Sequence, residues 1–481
     1  MTGTAAPGVA PVRRDASVTA VVGLLVLFEM MSGFTQMGIT PLLPDLADAY
    51  GLGDSAANWV GSVQLLAATV CVPLFGRLGD LYGHRRMLRV ALVCVTAGSL
   101  LVAVAPTAAL LWGGRALQGP LAALLPLEIA LVRSRLSVSD ARRAIARLVG
   151  ALTVGGLLGA ASMGAAAGTL GGVRAALLVP ALLAAVCVPL SFVAVPESEA
   201  RGAGAMDWSG FALLALGTTA LLLGVSALEH DGGVGLRVLP GAALGVLLLA
   251  WWVRTELRSR DPLVDVRTLT SRGTGPFHAA ACCFGVVFFA AQAPDTTFLA
   301  ADPDSAGYGF ALSSARISLV LLPGIVAAVV GSALTVPLAR RIGYRSVLAW
   351  SFALVAASFA VLAVRHVSLG EIVATKVVAG LGLGIALSAM PTVVVEAADR
   401  DRGGVATALY NNVKSFGGSV AGGVMAAVLA ASAHRPGTAR ETPAEGAYVQ
   451  VWLLCAVCAL AGAGTTLLAR RSEDPDGPAA A

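Results

Sequence analysis

Fourteen stretches of this chain are apolar over a length that crosses a lipid bilayer, and no other feature restricts the fold as tightly. A helix rising 1.5 Å per residue needs ~20 mainly apolar residues to cross ~30 Å of hydrocarbon. The runs fall at approximately 18–40, 57–74, 90–105, 110–132, 148–170, 175–195, 208–228, 238–253, 277–299, 317–338, 347–364, 372–395, 405–431 and 449–469. Composition agrees: 57% of the residues are hydrophobic and 13% charged, against roughly 25% charged in soluble domains. The expected class is an all-α, polytopic membrane protein with fourteen transmembrane helices.

Orientation follows from the basic residues. Lys and Arg accumulate in cytoplasmic loops. With the N-terminus inside, 24 of the 33 lysines and arginines fall in cytoplasmic segments or at their helix ends. Six fall outside (Arg174, Arg237, Arg316, Arg365, Arg435 and Arg440), and Arg115, Lys376 and Lys414 lie within helices. Both termini are therefore expected in the cytoplasm. The net charge of +5 belongs to this topology and does not point to nucleic acid. The first run is too long for a signal-peptide core and reads as a retained helix. Cys455-x-x-Cys458 has redox or metal spacing, but it sits in a lipid-length run without a nearby histidine, so neither a metal nor another cofactor is expected.

Between the second and third runs stands P-L-F-G-R-L-G-D-L-Y-G-H-R-R-M-L-R, residues 73–89. Gly76, Gly79 and Gly83 are expected to make a sharp reversal. Asp80 among Arg77, Arg85, Arg86 and Arg89 is expected to form an ionic latch at a helix end. A basic loop that only sets topology is the plainer alternative. The order G-x-L-x-D-x-x-G-x-R-R resembles the loop between the second and third helices of major facilitator superfamily transporters.

Two longer joints, 197–207 and 254–273, divide the runs into six, two and six. This arrangement resembles the fourteen-helix drug:proton antiporter branch of that superfamily, as do Asp207-Trp208-Ser209-Gly210 and Asp261-Pro262-Leu263-Val264-Asp265. The resemblance implies a six-helix bundle over 1–196, an inserted helix pair with its linkers over 197–260, and a second six-helix bundle with a short cytoplasmic tail over 261–481. The two bundles echo each other: Arg115-Ala-Leu-Gln-Gly119 matches Lys376-Val-Val-Ala-Gly380, and Val72-Pro73-Leu74 matches Val336-Pro337-Leu338. Transporters duplicated in this way bind substrate between the halves, near mid-membrane.

Ionisable groups inside the apolar runs mark the candidate site, because each costs roughly 2.5–3.5 kcal/mol at the bilayer centre. Glu29, flanked by Phe28, Met30 and Met31, is the expected proton carrier, with a structural ion pair as the alternative. Counted from Pro44, the position at which the family carries its first-helix acid falls here on Thr35, so that acid is either missing or displaced to Glu29. Arg115-Ala-Leu-Gln-Gly-Pro-Leu121 resembles the fourth-helix motif R-x-x-x-G-x-G, whose arginine is tied to proton coupling, with Leu121 in place of the second glycine. Arg115 is expected to face the cavity and answer Glu29, with Gln118 beside it. Lys414, next to Asn411, Asn412 and Ser415, is expected to pair with Glu29 or Asp295. Met30, Phe34 and Met37 are candidates for a tolerant apolar pocket. Glu128 is either a site residue or a partner of Arg133 or Arg135. Asp295 is expected on a solvated outer rim, with a proton entry site as the alternative, and Lys376 to snorkel outward. The fifth run resembles the antiporter signature G-x-x-x-G-P-x-x-G-G, with Gly155, Gly156 and Gly159 in register, Gly156 in the proline's place and Ala160 in the last glycine's.

The function implied is proton-coupled export of a small amphiphilic, drug-like or antibiotic compound from a bacterial cell membrane by alternating access. The partners expected are that compound, protons and the lipid bilayer, and the protein is expected to act as a monomer. A proton-coupled importer and a non-transporting receptor are the alternatives. The chain shows no nucleophile–base pair, and no Walker-type G-x-x-x-x-G-K-[ST] loop for ATP, so an enzyme is not expected.

Overall fold

A computed structural model describes residues 16–194, 205–226, 238–259, 261–271, 273–397, 403–432 and 443–469. Among them every regular element is helical. The first part holds α1 (Ala16–Gly38), α2 (Leu43–Tyr50), α3 (Asp54–Tyr82), α4 (His84–Val104), α5 (Ala108–Leu117), α6 (Leu124–Arg135), α7 (Val138–Thr169) and α8 (Val173–Ala194). Then come α9 (Trp208–Ser226), α10 (Val238–Glu256), α11 (Val266–Leu269), α12 (Gly275–Ala290), α13 (Gln292–Ala300) and α14 (Pro303–Ala306). The last are α15 (Ser314–Ile342), α16 (Tyr344–Val364), α17 (Leu369–Ala397), α18 (Gly403–Ala431) and α19 (Glu445–Leu468). Twelve helical segments among the described residues are long and apolar enough to cross a membrane. Beside them α9 and α10, 19 residues each, pack antiparallel, with Gly224 against Ala242 and Gly245 against Leu221.

The helices depart from the apolar runs where backbone chemistry requires it. α3 continues through Gly76 and Gly79 to Tyr82, so neither glycine bends the chain as expected. The reversal is made by Gly83 alone, at φ 103°, a region that side chains rarely enter. Its N–H closes the helix on the Gly79 carbonyl at 2.9 Å. Gly343, at φ 80°, makes the equivalent turn between α15 and α16, in keeping with the internal echo. The fourth run is broken into α5, a 3-10 turn over Gly119–Ala123 and α6, because Pro120 has no N–H to continue the ladder. The ninth run breaks at Ala291 between α12 and α13, ahead of Pro294.

Two sets of helices result. Phe28, Leu88, Leu92, Leu124 and Leu148 are buried in the core of the first. Phe284, Phe352, Phe359, Met390 and Trp452 are buried in the core of the second. Small residues bring helix backbones together. A Cβ on Gly33 of α1 would collide with the Leu152 carbonyl of α7, and one on Gly155 of α7 with the Met30 carbonyl of α1. The glycines of the fifth run therefore dock α7 on the helix that carries Glu29.

The face holding Gly83 and Gly343 is called inner here, following the basic-residue asymmetry, and its opposite outer. The two sets meet along α3 with α18 and along α7 with α15. In the outer half, the Asn58 amide donates to the Gly422 carbonyl. Thr40 donates to Gln292 Oε1 at 3.1 Å, and Gly164 lies against Ser314 and Ser318. At the inner end, Arg77 reaches the Asp261 carboxylate at 3.5 Å and donates to the Ala205 carbonyl at 3.2 Å. Glu256 accepts from Trp252 Nε1 at 3.0 Å and from the Val264 N–H at 3.4 Å, which fastens 261–265 to α10.

Candidate functional site

Between the two sets lies a cavity of about 350 Å³, lined from α1, α6, α7, α12, α13, α15, α17 and α18. It runs from Thr40 and Pro41 on the outer side past Glu29 and Leu152 to Ile129, Ile145 and Pro391 toward the inner face. Most of its wall is apolar, including Val149, Phe288, Phe289, Leu321 and Leu387. Four charged side chains line it: Glu29, Asp295, Lys376 and Lys414. Two acids face two bases, so the wall is charge-balanced.

Glu29, on the cavity wall, has a second acid, Glu128, behind it. Both are fully buried, at 1% and 0% exposure. α6 packs on α1 and brings Glu128 near Glu29, so that each carboxyl group acts electrostatically on the other. None of their four oxygens accepts a hydrogen bond from a donor of the protein. Glu128 therefore does not pair with Arg133 or Arg135, as one reading of the sequence had it. The field of Lys414 acts on Glu29 from α18, and its ammonium sits 5.4 Å from the centre of the Tyr410 ring. A buried polar group without a partner costs about 1–3 kcal/mol, and more when charged.

Arg115 does not join this group. Although 2% exposed, its guanidinium is spent on neutral acceptors: Nε donates to the Val60 carbonyl at 2.9 Å, and the terminal nitrogens donate to Gln118 Oε1 and Gln64 Oε1. Gln118 in turn donates to Ser99 Oγ at 2.8 Å. The expected Arg115–Glu29 pair is thus replaced by a clamp of α5 on α3, and neither Arg115 nor Gln118 lines the main cavity. Of the pocket candidates, Met37, Asn411 and Lys414 line it. Met30 and Phe34 do not line it, and their backbones lie against Gly155 and Gly159 of α7.

Asp295 departs from the outer-rim expectation. It is buried and pairs with Lys376, which consequently does not snorkel. Trp452 Nε1 donates to its other oxygen at 3.0 Å, and Lys376 also lies over the Phe359 ring at 5.2 Å.

The loop of 73–89 also differs from the latch drawn from sequence. Asp80 is paired with His84 at 3.2 Å. Arg89 donates to the Ser191 carbonyl at 3.1 Å and stacks over Phe192 at 4.1 Å. Arg85 donates to the Phe192 carbonyl at 3.5 Å, and Arg86 is exposed. The arginines thus fasten α4 to α8 rather than ringing Asp80. Cys455 and Cys458 are free thiols. Of the histidines, His366 bonds Glu445 at 2.9 Å, while His230 and His434 lie outside the described residues.

Sequence reasoning passed over Asp54, Tyr448 and Trp452. Asp54 opens α3 yet is 4% exposed, and Tyr448 donates to its Oδ2 at 2.7 Å across the two helix sets.

The model of the Major Facilitator Superfamily matches residues 25–422. The multidrug efflux pump LfrA of Mycolicibacterium smegmatis is 28% identical over 398 residues, covering 81% of this chain and 76% of its own. The cephamycin export protein CmcT of Amycolatopsis lactamdurans is 28% identical over 419 residues, 84% of each chain. Among solved structures, an auto-inhibited peptide transporter of the POT family superposes with a TM-score of 0.64 at 14% identity, covering 96% of this chain and 99% of that one. The nucleoside transporter NupG superposes at 0.62 and 14%, covering 92% and 99%; both likenesses concern the fold.

Proposed function

The chain belongs to the Major Facilitator Superfamily, and we propose that it is a proton-coupled exporter of small amphiphilic compounds of the drug or antibiotic kind. In this reading it crosses the bacterial cell membrane fourteen times, α9 and α10 forming the inserted pair. It acts as a monomer, with both termini in the cytoplasm and bundles over 1–196 and 261–481 rocking about the cavity.

One observation carries the proposal: two buried neighbouring carboxyl groups, Glu29 and Glu128, without hydrogen-bond donors and within the field of Lys414. A proton held between them relieves their mutual repulsion and their desolvation together. When the cavity faces the outside, the pair takes up that proton; when it faces inside, the pair releases it and Lys414 becomes the counter-ion of the remaining charge. The apolar wall holds the carbon skeleton of the substrate and tolerates variation in its shape. With Arg115 withdrawn, the wall carries two acids and two bases and favours no strongly charged substrate, and the names of LfrA and CmcT support the export of drug-like organic compounds. Asp80, with Gly83, Arg85 and Arg86, closes the inner face in the opposite state, when α4 approaches the second bundle.

The test is flux in proteoliposomes under an imposed pH gradient, across a panel of amphiphiles. Glu29→Gln is expected to abolish gradient-driven movement while substrate binding persists. Undiminished gradient-driven flux in that variant would overturn the assignment of Glu29, and movement of substrate in the direction of the proton would overturn export.

A further inference from the structure

The outer side of the protein holds a side-chain network that the proton site does not use. Asp54 belongs to the first helix set, at the outer start of α3, and Tyr448 to the second, at the outer start of α19. Their 2.7 Å hydrogen bond is buried, and it crosses the seam along which the sets must part to open outward. Tyr448 is not free to follow Asp54, because α13 grips α19 at three points. Thr297 Oγ1 lies 3.3 Å from the Tyr448 hydroxyl. Trp452, one turn further along α19, donates its indole N–H to Asp295 at 3.0 Å. Phe298 packs edge-on between them, its ring 5.3 Å from Tyr448 and 5.2 Å from Trp452. Asp295 is at the same time a wall residue of the cavity, paired there with Lys376 of α17.

We propose that Asp54 and Tyr448 form the lock of the outer gate, and that the Asp295–Lys376 pair is its cavity end, acting on the lock through Trp452, Thr297 and Phe298. A change at Asp295 or Lys376, on the wall where substrate arrives, shifts α13 against α19 and so moves the hydroxyl that Asp54 accepts from. Parting the sets breaks the bond and exposes a buried carboxylate, which water then solvates. A charged acceptor makes that bond about twice as strong as a neutral one, so the lock favours the outwardly closed state until the cavity end is disturbed. The inference rests on the alternating-access reading, not on Glu29 as proton carrier.

A thiol placed under the outer seam, away from the network, reports on the lock. Ser314 suits this purpose: it is buried, its hydroxyl makes no hydrogen bond, and it sits against Gly164 where α15 meets α7. The S314C protein would be labelled in right-side-out vesicles with a membrane-impermeant maleimide, against the unsubstituted protein as control for the native cysteines. Adding Tyr448→Phe, which keeps the ring and removes only the hydroxyl, is expected to speed labelling about tenfold, equivalent to about 1.4 kcal/mol. Asp54→Asn, whose amide oxygen still accepts, is expected to give about threefold. Asp295→Asn should speed labelling too, and combined with Tyr448→Phe should add little to the faster single variant. Should Asp295→Asn fold poorly, Trp452→Phe tests the same link with the ion pair intact.

Unchanged labelling in Tyr448→Phe and Asp54→Asn would overturn the lock. Full additivity of Asp295→Asn and Tyr448→Phe would overturn the link to the cavity. Labelling that no substrate, gradient or substitution alters would remove alternating access itself, whereas Glu29→Gln transport results leave the lock untouched.

Discussion

The two charged regions of the second and first helix sets are built on opposite terms. Around Asp295, every charge is answered: Lys376 on one oxygen, Trp452 on the other, and Phe359 beneath the ammonium. Around Glu29, nothing is answered in full, since two carboxyl groups face each other without a donor and the nearby lysine is shared by its field alone. Both regions line one cavity, and the lipid imposes the same penalty on each. The difference teaches where chemistry is held and where it passes. Satisfied networks resist change, and unsatisfied groups wait for a ligand as small as a proton.

Four single substitutions and one double test that contrast, the loss of transport first and then the losses of stability in falling order. Glu29→Gln should lower proton-driven flux by at least about 100-fold, or roughly 2.7 kcal/mol, while thermal unfolding in detergent stays unchanged or shifts upward. A large loss of stability would place Glu29 with the satisfied groups. Asp295→Ala should do the reverse to the fold, costing about 3–5 kcal/mol by leaving Lys376 buried without its partner. The double change Asp295→Leu with Lys376→Met should restore most of it, and a scan of unfolding midpoints would read both. Arg115→Met should cost about 2–3 kcal/mol of stability, since Val60, Gln64 and Gln118 lose charge-assisted bonds. Its remaining folded fraction should keep the pH profile of transport; a displaced profile would return Arg115 to proton coupling. Smallest, Tyr448→Phe should cost about 1 kcal/mol of unfolding free energy, measurable as a lowered midpoint that does not depend on the proton gradient.

Much of this protein is readable in its letters, for reasons that differ by region. Twelve membrane-length segments and the pseudo-equivalent turns at Gly83 and Gly343 follow from apolar length and local backbone demands. The same local reasoning failed at Gly76 and Gly79, because a glycine tolerates a helix as well as a bend and only the neighbours decide. Glu29, Lys414, Asn411 and Met37 were visible because a polar or adaptable side chain inside an apolar run needs a cavity. Glu128 was blurred by its nearness in sequence to Arg133 and Arg135, whereas its real neighbour is 99 positions away by residue number. Arg115 misled for the converse reason: a buried guanidinium has five donors, and three uncharged acceptors met its needs as well as a carboxylate would. Asp54 and Tyr448 gave no signal, since an acid or tyrosine at a span's end has an ordinary interfacial explanation. Only the fold, which brings the starts of α3 and α19 together across the two helix sets, makes them a pair.

The glycine contacts between α1 and α7 carry a consequence for how such a protein can change over generations. Gly33 and Gly155 touch backbone, so almost any substitution there disturbs the frame. Val149, Leu321 and Leu387 instead border the cavity, so they can be exchanged for residues of other size more readily. Scaffold and palate are thus written at separate positions. A lineage could acquire a taste for new compounds by drifting at the second group while the first stays as it is, and a library randomised over those three wall positions would sample substrates without sampling folds.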